Sequence, residues 1–121
     1  MHKFRELKVW QRAMDLVTGV YRLTKSFPSE EQFGLTSQLR RAVVSIPLNL
    51  SEGAGSGSDA EFNRFLRISL RSCYETMTAL EIGRRLGYCT DAQVGPLNRE
   101  VDEIAAMIVG LIKSLGCRPQ A

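Results

Sequence analysis

The sequence is poor in the residues on which most small catalytic and metal-binding domains depend. It holds one histidine, His2, and three cysteines, Cys73, Cys89 and Cys117, set far apart. Without a histidine in the body of the chain, no imidazole is at hand to move protons for a hydroxyl, thiol or carboxylate. Structural zinc sites gather four nitrogen and sulfur ligands, and no close cysteine pair occurs to begin one. An odd number of widely spaced thiols argues against a disulfide framework and for reduced cysteines in a cytoplasmic setting. No metal and no cofactor is therefore expected, and catalysis is disfavoured.

Other absences narrow the class further. No apolar run approaches the roughly 18 residues of a membrane-spanning helix. The first residues, MHKFRELKVWQRAMDLV, scatter charge where a signal peptide would need a continuous apolar stretch. No segment alternates with period two, so strands are not expected. The net charge of +3 is mild. It favours a nucleic-acid partner only modestly, and a solvated surface explains it as well.

What is present is helical periodicity over nearly all of the 121 residues, enough for one domain spanning 1–121. A first helix is expected from about Leu7 to Ser26, with Leu7, Trp10, Met14, Val17 and Tyr21 on its inner face. A second runs from Glu30 or Leu35 to Glu52, burying Leu35, Leu39, Ala42, Val43, Ile46 and Leu50. GAGSGS terminates it. Ser58 or Asp59 caps a third helix reaching Leu86, with Glu61 placed for a capping box. A fourth starts near residue 95, with Pro96 in its first turn, and ends at Gly116. Four helices with short connections pack most simply as an antiparallel up-down-up-down four-helix bundle, an all-α fold.

On a helical wheel the first helix has a second apolar strip, Val9, Leu16, Val20 and Leu23. On the second helix Val44 and Leu48 lie away from the Ile46 face. A helix apolar on most sides is buried on most sides. Val9, Leu16, Leu23, Val44 and Leu48 are therefore the candidate subunit interface of a homo-oligomer.

Two polar constellations stand out. Gln38, Ser45 and Glu52 recur every seven residues along the second helix, with Asn49 beside them and Pro47 breaking the backbone ladder. They read either as a carboxylate-amide-hydroxyl site or as an internal hydrogen-bond network in which Glu52 answers an arginine. The network is preferred, because a catalytic Glu52 lacks a titratable partner. The second constellation is basic: Arg64, Arg67 and Arg71 along the third helix, with the pair Arg40 and Arg41 on the second. Such stripes track phosphates, although Glu61 and Glu75 are spaced to neutralise part of this one.

The stretches LKVWQRAMDLV, FGLTSQLRRAVVSIPLNLSEG, EFNRFLRISLRSCYE and LGY closely resemble a bacterial family of small four-helix-bundle proteins. These are encoded in intervening sequences of 23S ribosomal RNA genes, or as stand-alone genes, and are also filed under a ribosomal-protein label. The family signature falls on Gln38, Arg40, Arg41, Ser45, Ile46, Pro47, Asn49, Glu52, Gly53, Glu61, Phe65, Leu66, Ser72 and Glu75. This chain departs from it at Leu50-Ser51, Ser69, Arg71 and Thr76, where the family usually has Ile-Ala, Ala, Gly and Leu. The resemblance implies a pentameric ring and brings no established activity. A more distant likeness links the fold to the accessory protein of diversity-generating retroelements, which works with a reverse transcriptase and nucleic acid. The resulting expectation is a non-enzymatic homopentamer that offers a basic surface to RNA. The alternative is a scaffold that binds a protein and no nucleic acid.

Overall fold

The structure is a computed structural model that describes residues 3–116. Four helices follow in chain order: α1 (Lys8–Thr24), α2 (Leu35–Ala54), α3 (Asp59–Arg85) and α4 (Asp91–Gly116). Two short 3-10 turns, Phe4–Glu6 and Ser29–Glu31, precede α1 and α2. The chain forms an all-α bundle in which each helix packs on the next and α1 closes against α4. Along the α2–α3 seam the pairs run in opposite order: a Cβ on Gly53 would meet Phe62 and Phe65, Ile46 bonds Ser69, and Ser45 bonds Ser72. Arg40 of α2 meets Thr24 at the end of α1. Arg84 at the end of α3 meets Asp91 at the start of α4. Neighbouring helices joined by short turns have little alternative to this order.

The helix ends follow from local chemistry. Ser58 Oγ accepts from the Glu61 backbone N–H at 3.1 Å, capping α3. Glu61 itself turns to Arg64 and completes no reciprocal box. Gly57 and Gly87 adopt positive φ, +87° and +80°, in the turns before and after α3, a region that disfavours residues with a Cβ. The fourth helix begins earlier than its proline suggests. Thr90 and Gln93 form a reciprocal capping box, Thr90 N–H to Gln93 Oε1 at 2.9 Å and Gln93 N–H to Thr90 Oγ1 at 3.2 Å. The helix therefore starts at Asp91 and carries Pro96 inside it.

The core of α2 is the expected one: Leu35, Leu39, Ala42, Val43, Ile46 and Leu50 are all buried. On α3, Phe62, Leu66, Ser69, Cys73, Thr76 and Leu80 are buried, and Phe65 and Met77 lie half-buried beside them. On α1 the expected faces are exchanged. Val9, Ala13, Leu16, Val20 and Leu23 point into the bundle, with Leu16 only 1% exposed. Trp10 and Val17 are half-buried, and Met14 and Tyr21 are exposed. Val9, Leu16 and Leu23 therefore belong to the core of the single chain and cannot serve a partner. The two strips lie one residue, about 100°, apart on the wheel. The aliphatic strip runs on through Leu23 to buried Phe27 and spans the bundle's length. The Trp10 strip ends at Tyr21 and carries amphipathic rings suited to a boundary with water.

Across the α1–α4 seam Arg12 forks onto Glu100, with N–O distances of 2.7 and 2.9 Å, and also contacts Glu103. The guanidinium beside it lowers the Glu100 pKa below the ordinary carboxylate value.

Candidate functional site

The polar residues of α2 meet α3 along one seam. Asn49 Nδ2 donates to the backbone carbonyl and the hydroxyl of Ser45, at 2.8 and 2.9 Å. Ser72 Oγ of α3 donates to Ser45 Oγ at 2.9 Å. Ser69 Oγ donates to the Ile46 carbonyl at 3.0 Å, just before the backbone break at Pro47. A carbonyl oxygen has room for a second donor, so the buried Ser69 adds an interhelical bond to the α2 backbone beside Pro47. Gly53 lets the helices approach closely: a Cβ there would lie 2.8 Å from Phe65 Cβ.

Two members of the expected network do not join it. Glu52 is exposed, and its charge acts on Arg64 only through space, well after Glu61. Gln38 is exposed on the outer side of the seam. The network is Ser45, Asn49 and Ser72, with Ser69 beside Pro47. Ser69 and Ser72 carry half of it and were invisible as partners in the sequence. The signal for Ser69 was a hydroxyl on an otherwise apolar stripe, and that for Ser72 its place in the family signature.

The arginines separate by environment. Arg40 Nε donates to the buried Thr24 hydroxyl at 2.8 Å, and its guanidinium lies 4.5 Å from the Tyr21 ring centre. It staples α1 to α2 and is not free for a ligand. Arg64 pairs with Glu61 at 3.1 Å and stacks on Phe65 at 4.4 Å. Arg67 is exposed and borders the α3–α4 side with Asn63 and Ile112. Arg41 and Arg71 both line a groove of about 700 Å³ between α2 and α3. Neither has an ion pair among the described residues. Glu75 also lines this groove.

A second surface is apolar. Phe4, Trp10, Met14, Val17, Val44 and Leu48 line a furrow of about 280 Å³ between α1 and α2, floored by Pro47. Leu48 is 55% exposed and Met14 42%. Of the interface candidates, Val44 and Leu48 do lie on an open face. Their companions on α1 are the Trp10 strip in place of the Val9 strip.

Among the described residues no cluster of His, Cys, Asp or Glu could hold a metal ion. Burial pushes the Cys73 thiol up to about 12 and raises that of Cys89, so neither is a ready nucleophile. Cys117 lies outside the described residues. No helix among the described residues is long and apolar enough to cross a membrane.

The bundle is not new. A crystal structure of a protein of unknown function from the S23 ribosomal protein family of Bacteroides thetaiotaomicron VPI-5482 superposes with a TM-score of 0.81 at 28% identity. The match covers 87% of this chain and 98% of that one. None of the curated proteins compared with the chain matches it. The sequence model of the 23S rRNA-intervening sequence proteins matches residues 5–110, nearly the whole bundle. With the fold, the α2 signature and this match in agreement, the chain belongs to the 23S rRNA-intervening sequence protein family.

Proposed function

We propose that this protein works by assembling with copies of itself, catalyses no reaction, and uses the assembled surface to hold RNA. The observation that carries the reading is the furrow of Phe4, Trp10, Met14, Val17, Val44 and Leu48, an apolar face the single chain leaves open. Contiguous apolar surface of this kind marks an interaction site.

A second apolar surface lies elsewhere on the molecule. Tyr74 and Ile82 on the outer side of α3 and Leu86 just past its end are exposed, spaced by eight and four residues as one i±4 ridge. A furrow and a ridge on different sides of one chain suit head-to-tail contact. Such contact closes into a ring when the rotation per copy allows it. The pentamer implied by the family resemblance is an assembly of this type. Repetition around an axis would multiply weak RNA contacts that a chain of charge +3 makes poorly alone.

Light scattering tests the assembly. The unaltered protein should be oligomeric at micromolar concentration, and Leu48→Glu or Ile82→Glu should each break it by placing charge in the junction. Mixing the two variants should give a two-copy species, because one intact junction remains between them. A monomeric unaltered protein overturns the reading. RNA retained by the oligomer should dissociate with salt. Capture of no RNA at low salt would favour the protein-scaffold alternative.

A further inference from the structure

The α2–α3 groove brings together groups that no fold requirement explains. Arg41 from α2 and Arg71 from α3 line the same groove with no carboxylate in ion-pair range among the described residues, whereas Arg12, Arg64, Arg84 and Arg85 each hold one. Two like charges lining one groove repel each other, and an anion bound there offsets that cost. On the floor of the groove Ser45 and Ser72 lie within hydrogen-bond distance of each other at 2.9 Å. Phe33, 91% exposed, also lines the groove and makes no ring contact among the described residues.

From this arrangement we infer that the groove binds one phosphodiester of single-stranded RNA, with Arg41 and Arg71 on the phosphate and Phe33 stacked on an adjoining base. Glu75, on the same groove, sets the class of ligand. A carboxylate beside the arginines penalises a multiply charged anion but suits a singly charged phosphodiester, whose sugar hydroxyl or base N–H it can accept from. Guanidinium pairs match phosphate oxygens in geometry as well as charge. Aromatic stacking is tolerant of sequence, so binding is to single strands in general. The inference rests on the RNA-binding reading above and places the contact in the groove and not along the Arg64–Arg67 stripe.

Fluorescence anisotropy of the intact assembly with a 5′-labelled pentauridylate, titrated at several salt concentrations, tests it. Arg41→Gln and Arg71→Gln should each weaken binding about tenfold. The double variant, which loses the one phosphate contact, should also reduce the log–log salt slope by about 0.7, the single-strand value. Phe33→Ala should weaken binding by a similar factor and leave the slope unchanged, because stacking releases no counterions. Arg67→Gln should change neither. If the unaltered protein binds the probe and the groove variants bind equally well, the groove assignment is overturned while RNA binding stands. If the unaltered protein does not bind it at all, the RNA reading falls with it. Displacement of the probe by millimolar inorganic phosphate at matched ionic strength would identify a free-phosphate site and overturn the strand assignment. A change in oligomer mass for Arg41→Gln, with RNA affinity kept, would make the groove a subunit contact.

Discussion

The Tyr88 hydroxyl donates to Glu31 Oε2 at 2.9 Å, while Glu31 Oε1 accepts from the Leu35 backbone N–H at 3.0 Å. One carboxylate thus ties the turn after α3 to the first residue of α2. The backbone bond from Leu35, and then the tyrosine, hold the Glu31 pKa below its ordinary value. The same carboxylate raises the Tyr88 pKa. In Glu31→Gln the tyrosine should titrate closer to its ordinary value of 10.0, read by tyrosinate absorbance. The Leu35 amide should exchange faster with solvent in Glu31→Ala than in Tyr88→Phe, because only the first removes the helix acceptor. Equal exchange in both would contradict this division.

Two glycines should respond oppositely to alanine. At Gly53 the added Cβ would meet Phe65 Cβ at 2.8 Å and the Phe62 carbonyl at 3.3 Å, atoms tied to the α3 backbone. Gly53→Ala should cost about 1–3 kcal/mol by overpacking. At Gly19 the only close atom is Leu97 Cδ2, the tip of a side chain that can rotate. There the helix-propensity gain of up to about 1 kcal/mol should offset the crowding. Urea unfolding of both variants makes the comparison.

Arg40 and Glu52 should behave unlike their sequence-based roles. Arg40→Gln should lower stability by about 1.5 kcal/mol, the low end for a charged hydrogen bond. It should leave the salt slope of RNA binding unchanged. Glu52→Gln should be neutral within about 0.5 kcal/mol, as for surface substitutions generally. A loss of several kilocalories for Glu52→Gln would restore the buried ion pair expected from the sequence.

Acid should loosen the bundle through depressed carboxylates. Glu81, hydrogen-bonded by Arg84 and then Arg85, is held down to about 2 from an ordinary 4.5. Glu31 and Glu100 are also lowered. A depressed native pKa means that the unfolded state binds protons first as pH falls. The contribution is therefore complete above the ordinary value of 4.5 and disappears on the way down to about 2. Thermal midpoints should be flat above about pH 5.5 and fall below it. Glu81→Gln should flatten the fall, and added salt should weaken the Glu81 share because its partners are exposed.

The sequence of α2 already contained its core, because Leu39, Val43, Ile46 and Leu50 form one stripe at helical spacing. Periodicity, the Ser58 cap and the glycine turns also determined four helices and their order, since these are properties of residues a few positions apart. The Thr90–Gln93 box was equally local, and Pro96 masked it. What periodicity could not decide was which of two adjacent strips on α1 faces inward. Val9, Leu16 and Leu23 or Trp10, Met14 and Val17 satisfy a 3.6-residue repeat equally, and only packing against α2 and α4 chose between them. The polar residues depended on tertiary structure for the same reason. Arg40 became a staple because folding set Thr24 and Tyr21 beside it. Arg41 and Arg71, thirty residues apart in sequence, share a groove only because α2 and α3 lie side by side. Local spacing determines a helix and its faces. Which face meets which, and so which charges are left over for a ligand, is set by contacts between distant parts of the chain.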